Sequence, residues 1–193
     1  RGAADQRSGL LSCCAGMALT LLRHGEPEIA TGTCYGQSDV TTRPLDNGRL
    51  SALMNALPGS FARIDSSPLT RCTALAERLA VHFDLPVHAD PRLMEIDFGN
   101  WEMQAWDAIP RSEIDAWAQD VEGARPHGGE SVAQMTERVR AYLRDAAGFD
   151  GDILAITHLG VVRCVAAALG RPNPFELELD FGQFLSVEPI EVV

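Results

Sequence analysis

Lysine is missing from this 193-residue chain, in which all 16 basic residues are arginine. A phosphate loop of the G-x-x-x-x-G-K-[ST] type needs that lysine, and so does the nucleotide site of a protein kinase. Pyridoxal and Schiff-base chemistry need its amine. None of these can be assembled here by the usual route, so an anion site must rely on the planar guanidinium fork. At surface positions the arginines read as a composition bias that replaces lysine.

Positive charge is scarce overall. The formal net charge is −11 and the pI is near 4.8, which argues against nucleic acid or an anionic membrane as a partner. The acids are unevenly placed. Residues 91–130 carry a net −6 and residues 175–193 a net −5, so the rest of the chain is neutral and leaves room for an anion site. No apolar run approaches the ~20 residues of a membrane span. The five cysteines include no C-x-x-C pair and are odd in number, which fits a reducing cytoplasm better than a disulfide framework or a zinc knuckle. Residues 1–16 read as a disordered or added extension before Met17, and residues 17–193 as one domain.

Within that domain, short apolar runs alternate with amphipathic stretches. Strands are expected at Met17–Arg23, Phe61–Asp65, Val87–His88 and Asp152–Thr157, and a closing extended segment at Gln183–Val193. Helices are expected at Leu45–Leu57, from Ser67 (N-cap) and Pro68 to Phe83, from Glu130-Ser131 onward, and at Gly160–Leu169. Residues 91–129 form an excursion with short helices around Trp106 and Trp117. The alternation predicts a three-layer α/β/α sandwich with a mostly parallel sheet and a helical excursion over the site.

Ligands in such folds bind beyond the carboxyl ends of the strands. The first strand ends in Arg23-His24-Gly25 and the strand DILAIT ends in His158-x-Gly160. A third strand leads into Asp65-Ser66-Ser67-Pro68, with Arg71 in the first turn of the next helix, where anions are favoured. Chance gives about 0.04 Arg-His-Gly matches at this composition. Neutral imidazole is one of the few nucleophiles available near pH 7, and arginine forks can hold a phosphoryl group without a metal.

The series L-L-R-H-G-E, C-Y-G-Q-S-D-V, S-S-P-L-T-R-C, R-L-M-E-I-D-F-G-N-W-E, R-P-H-G-G-E-S and T-H-L-G-V-V-R resembles the histidine phosphatase superfamily, with its phosphoglycerate-mutase-like fold. Within it the bacterial α-ribazole phosphatases of cobalamin synthesis are the most similar, through C-Y-G, D-F-G-N-W-E, A-W-D-A-I-P-R and G-G-E-S. The resemblance implies a phosphoric monoester hydrolase with no cofactor and no metal, acting on a small phosphomonoester. It implies His24 as nucleophile, Arg23 and Arg71 on the phosphoryl oxygens, and His158 as a further donor that is charged when phosphate is bound. Glu95 is implied as the proton donor, although Asp97 and Glu102 lie close enough in sequence to take its place. Tyr35, Gly36 and Trp101 stand as substrate-binding candidates, and a homodimer is compatible with the family.

Some positions depart from the family pattern. Met103 stands where many relatives have glycine and is expected to narrow or reshape the pocket mouth. No asparagine follows R-H-G, and Thr31 or Tyr35 are the residues that can compensate. His127 occupies a frequent proline position. Trp101, Trp106 and Trp117 form a small core of the excursion or else stack on a planar base.

Other readings are weaker. Cys72–Arg78 fits the C-x₅-R spacing of cysteine phosphatases, but about 0.4 chance matches are expected and its loop has no glycine. Asp150 and Asp152 precede a strand rather than follow it, unlike the paired aspartates of haloacid-dehalogenase-type phosphatases. A mutase needs a second basic phosphate site, so a broad-specificity phosphatase is the nearer alternative. A non-catalytic binding protein on this fold remains the reading from another class.

Overall fold

The computed structural model describes residues 18–187. Five strands form one sheet in the order β3-β2-β4-β1-β5, with β1 Leu19–Arg23, β2 Arg63–Ser66, β3 Val87–Ala89, β4 Ile153–Thr157 and β5 Phe184–Val187. β1 to β4 are mutually parallel and β5 runs antiparallel along β1. Expected strand Met17–Arg23 begins at Leu19, and Met17 and residues 188–193 lie outside the described residues, as does the extension 1–16.

Both faces of the sheet are covered. Leu19, Leu21, Ile153 and Ala155 point into a core shared with α4 (Val132–Ala147) and α5 (Leu159–Ala168). Leu22, Ile64, Leu154 and Ile156 point into a second core with α1 (Asn47–Ala56) and α2 (Thr70–Phe83). The period-2 alternation of β-strand side chains feeds both layers, which is why β4 reads as an unbroken apolar run. Each such side chain contributes roughly 1.5–3 kcal/mol by burial.

The register is what builds the site. β1 and β4 pair with Arg23 opposite Thr157, so the next residues, His24 and His158, emerge side by side. β2 pairs with β4 one strand further on, and Ser66 lies opposite Ile156, which brings Ser67 to the same end. Antiparallel β5 starts at that end, so the residues before it, Leu179–Gln183, arrive over Arg23 and His24.

Three helix starts differ from expectation, the first being α1, which begins at Asn47 and not at Leu45, with Asp46 as its cap. α2 begins at Thr70, not at Pro68, and Ser67 is not its cap. The cap comes from elsewhere in the chain: the Asp39 carboxylate accepts from Thr70 N at 2.8 Å and Thr70 Oγ1 at 2.6 Å. Ser67 Oγ instead faces His158 Nε2 at 2.9 Å and accepts from Leu69 N at 3.3 Å, ahead of the helix. α5 begins one residue early, at Leu159, with His158 at the cap position. Ser131 starts α4 as expected, through a reciprocal capping box with Gln134. The excursion holds three 3-10 turns and one α-helix, α3 (Arg111–Gln119).

Candidate active site

His24 is 2% exposed and its Nδ1 lies 2.7 Å from the Gly25 carbonyl oxygen, so Nδ1 carries the proton and donates it there. The Nε2 lone pair is left for chemistry. Burial, reinforced by Arg71 and Arg23, pushes the His24 pKa down to about 3, so the ring is neutral at ordinary pH.

Arg71, wholly buried in the first turn of α2, is held by three acceptors. Nη1 donates to Ser38 O at 2.8 Å, Nη2 donates to Gly36 O, and Nε donates to His158 Nδ1 at 3.3 Å. The carbonyls that hold it are themselves pinned. Glu102 accepts from the backbone N–H groups of Gln37, Ser38 and Phe98 and from the Ser38 hydroxyl. Gly36, at φ +31, has no room for a β-carbon, which would collide with Glu102. Glu102 is therefore bound to backbone, Asp97 accepts from Gly99 N, and of the three acids Glu95 alone lines the cavity of the site.

His158 stands 5.0 Å from His24, ring centre to ring centre. Its Nδ1 accepts from Arg71, so its proton sits on Nε2, directed at Ser67 Oγ 2.9 Å away. Burial, then Arg71 and His24, holds its pKa well below the ordinary histidine range. Full burial beside guanidiniums thus favours a neutral His158, and the charge expected of it belongs to the phosphate-bound enzyme.

Arg23 donates from Nη1 to Leu179 O at 2.6 Å, and its guanidinium lies 3.8 Å from the Phe181 ring centre. Its Nε is buried with no acceptor. An unpaired buried donor of this kind, next to a neutral imidazole, fits an anionic oxygen. Tyr35 lies between the two arginines. Its ring centre is 5.0 Å from Arg71 Cζ, and burial raises its hydroxyl pKa against the lowering pull of Arg23 and Arg71. Thr31 is exposed, so Tyr35 is the one of the pair placed at the site.

Glu95 follows the 3-10 turn Pro91–Leu93. Its carboxylate accepts from Ile96 N at 2.9 Å and from Gly160 N, at the start of α5, at 3.2 Å. A β-carbon at Gly160 would land on the carboxylate, which gives the glycine after His158 a steric reason.

Glu95 and Arg23 also line a cavity of about 550 Å³, together with Tyr35, Gly36, Gly160 and Arg163. Its other wall is apolar: Phe98, Trp106, Trp117, Val121, Met135 and Phe175. The Trp117 indole Nε1 is buried without an acceptor. Trp101 does not line this cavity. It is 1% exposed, packs with Cys34 and Ile109, and donates from Nε1 to Glu113 at 2.7 Å, so it is core and not a substrate contact. Met103 does not line the cavity either. It is exposed at φ +63, so it leaves the pocket mouth unchanged and occupies a backbone conformation that suits glycine.

Three residues escaped the sequence reading. Arg163, Phe175 and Phe181 line or cover the site, yet only Arg163 left a signal, one helical turn beyond Gly160 on α5. Arg163 donates from Nε to Leu177 O and makes no ion pair among the described residues. The rival motifs dissolve. Cys72 sits inside α2 with its thiol pKa pushed up by burial, and Asp152 accepts from Ala18 N at the entry of β4. His127 packs against Phe98 and Trp101 and accepts from Gly129 N, away from the cavity. Among the described residues no helix is long and apolar enough to cross a membrane, and no three His, Cys, Asp or Glu side chains converge as metal ligands.

Residues 19–188 match the model of the histidine phosphatase superfamily (branch 1). The chain is 29% identical to an adenosylcobalamin/α-ribazole phosphatase of Salmonella typhimurium, over 79% of both chains. It is 30% identical to a glucosyl-3-phosphoglycerate phosphatase of Mycolicibacterium vanbaalenii, over 78% of this chain and 73% of the relative. A crystal structure of a candidate α-ribazole-5′-P phosphatase from Escherichia coli K-12 superposes with a TM-score of 0.77 at 27% identity, covering 89% of each chain. Paired histidines at adjacent strand ends, flanked by arginines, thus sit on a fold and a sequence that agree: the protein belongs to the histidine phosphatase superfamily, branch 1, and is a phosphomonoesterase of that family.

Proposed function

We propose that this phosphomonoesterase works through a phosphohistidine and that its substrate is a phosphomonoester of α-ribazole 5′-phosphate type, in cobalamin nucleotide-loop synthesis. His24 Nε2 attacks phosphorus while the P–O bond to the alcohol breaks. Arg23 and Arg71 take the equatorial oxygens, the first through its unpaired Nε. His158 orients Arg71 and flanks the nucleophile. Protonated Glu95 gives its proton to the departing alkoxide, which is otherwise a poor leaving group. Glu95, now ionised, takes a proton from the water that attacks phosphohistidine, and phosphate and free His24 result. No step calls for a metal.

The observation that carries the substrate reading is the chemistry of the cavity beyond Glu95. Its wall of Phe98, Trp106, Trp117 and Phe175 suits a planar aromatic base, and the buried Trp117 N–H suits an acceptor nitrogen on that base. A sugar-glycerate leaving group would meet few polar partners on that wall. One feature favours a second reading. Arg163, with no ion pair among the described residues, fits the carboxylate of a glucosyl-3-phosphoglycerate.

The test is kcat/KM, in EDTA, for α-ribazole 5′-phosphate, adenosylcobalamin 5′-phosphate, glucosyl-3-phosphoglycerate, a phosphoglycerate and p-nitrophenyl phosphate. Preference for the benzimidazole-bearing substrates by at least about 100-fold is expected. Equal rates across the panel would mark a broad-specificity enzyme, preference for the sugar-glycerate would select the second reading, and strict magnesium dependence would remove the mechanism.

A further inference from the structure

The G-G-E-S motif has so far no part in the chemistry, since Glu130 lies outside the cavity lining. Its carboxylate grips Arg138 on α4 with both oxygens, at 2.7 Å to Nε and 2.8 Å to Nη2. Both side chains are largely buried, at 18% and 16% exposure. A guanidinium has five N–H groups, and here each has an acceptor. Beyond the two on Glu130, Nη1 donates to Arg92 O and Met94 O, both at 2.7 Å, and Nη2 donates to Glu95 O at 3.0 Å.

Those carbonyls belong to the stretch that delivers Glu95. It lies outside the sheet and pairs with no strand. Four successive carbonyls are satisfied by side chains instead: Arg92, Met94 and Glu95 by Arg138, and Leu93 by Thr157 Oγ1, next to His158. Gln37 Nε2 also donates to Glu95 O, at 3.0 Å. The backbone that carries the Glu95 carboxyl is thus held by a guanidinium that is itself held by Glu130, while the carboxyl accepts from Ile96 N and Gly160 N. Phosphate-end residues are held by another set of bonds, from Glu102 to the Gln37 and Ser38 N–H groups and from Arg71 to the Gly36 and Ser38 carbonyls, and the two sets meet at Gln37.

We propose that Arg138, locked to Glu130, is a positioning residue that sets where the Glu95 carboxyl meets the leaving-group oxygen. The proposal rests on the reading of Glu95 as proton donor. Its consequence is selective. Displacing Glu95 harms substrates whose alcohol must be protonated as it leaves, and spares those whose leaving group departs as a stable anion. A loss of general stability or of phosphate binding has no such selectivity.

Benzyl phosphate and p-nitrophenyl phosphate offer rings of similar size, one leaving as an alkoxide and the other as a stable phenolate. The ratio of their kcat/KM values reports steps up to phosphoryl transfer and leaves out later hydrolysis of the phosphoenzyme. For Arg138→Lys, which keeps charge but loses the fork, kcat/KM for benzyl phosphate is expected to fall about 100-fold, the scale of a one-ångström misplacement. The fall for p-nitrophenyl phosphate is expected to stay within about 5-fold, since general acid help is not needed there. Glu130→Gln, which preserves volume and one acceptor, gives the same selectivity at smaller size and serves if Arg138→Lys does not fold. The p-nitrophenyl phosphate rate is itself the check of folding.

Equal losses on both substrates, or no loss on either, would overturn the proposal. Glu95→Gln separates the two levels of inference. If it is selective while the Arg138 and Glu130 variants are not, the positioning role fails and the proton donor stands. If Glu95→Gln itself hits both substrates equally, the proton-donor reading fails.

Discussion

At the phosphate end of the site, His24, Arg71, His158 and Ser67 are almost wholly buried and bound to one another or to backbone, whereas the leaving-group end is an apolar cavity walled by half-exposed rings. The first end is assembled from the termini of three adjacent parallel strands, β1, β4 and β2, so the topology leaves little choice about what meets there. The second is assembled from the excursion, α5 and the segment leading to β5, whose cavity-lining side chains come from helices and loops and not from strand ends. Reaction chemistry therefore travels with the fold while substrate choice does not. That agrees with two relatives of nearly equal identity, 29% and 30%, whose names give different substrates.

The contrast can be broken at its strong end first. Arg71→Ala removes the guanidinium that joins Gly36, Ser38 and His158, and kcat/KM should fall about 10³-fold for every monoester, whatever its leaving group. Steady-state kinetics on the two leaving-group classes would contradict this if the loss were confined to one of them. At the soft end, Trp117→Phe keeps a ring and deletes the unpaired N–H, so affinity for a benzimidazole-bearing substrate should drop by roughly 3- to 10-fold. Inhibition by inorganic phosphate should be unchanged, and a parallel change in both would erase the distinction between the ends.

The smallest effect is on stability. The His24 pKa lies at about 3 against an ordinary 6.5, so between those values the unfolded chain binds a proton that the folded protein refuses. Stability must then fall as pH drops through that window, with His158 acting in the same direction. His24→Asn should flatten the acid limb of a urea-melt series by up to about 1.4 kcal/mol per pH unit. An unchanged slope would mean that the ring is not held neutral.

How far the sequence reached follows the same division. His24, His158 and Arg71 could be placed together because strand ends in a parallel sheet converge, and R-H-G, S-P-L-T-R and T-H-L-G each mark one such end. Ser67 looked like a helix cap because its short-range pattern fits one; the actual cap, Asp39, comes from 31 residues away, and no local rule carries that. Trp101 and Trp117 are alike in sequence, but only the fold buries the first against Glu113 and turns the second to the cavity. Phe175 and Phe181 reach the site only because β5 runs antiparallel, a pairing with no signature in its own residues. Glu130 was visible as part of a motif, while its bond to Arg138 was not, since an eight-residue spacing on a helix start suggests nothing about the carbonyls beyond it.

Trapping the phosphoenzyme bears most directly on the nucleophile. The protein is mixed with a ³²P-labelled monoester, quenched in alkali within milliseconds and digested. Label is expected on the peptide carrying His24, stable in base and lost in acid, and none should appear in His24→Ala, whose turnover should be negligible. Label on any other residue, or full activity in His24→Ala, would contradict a phosphohistidine at the end of β1.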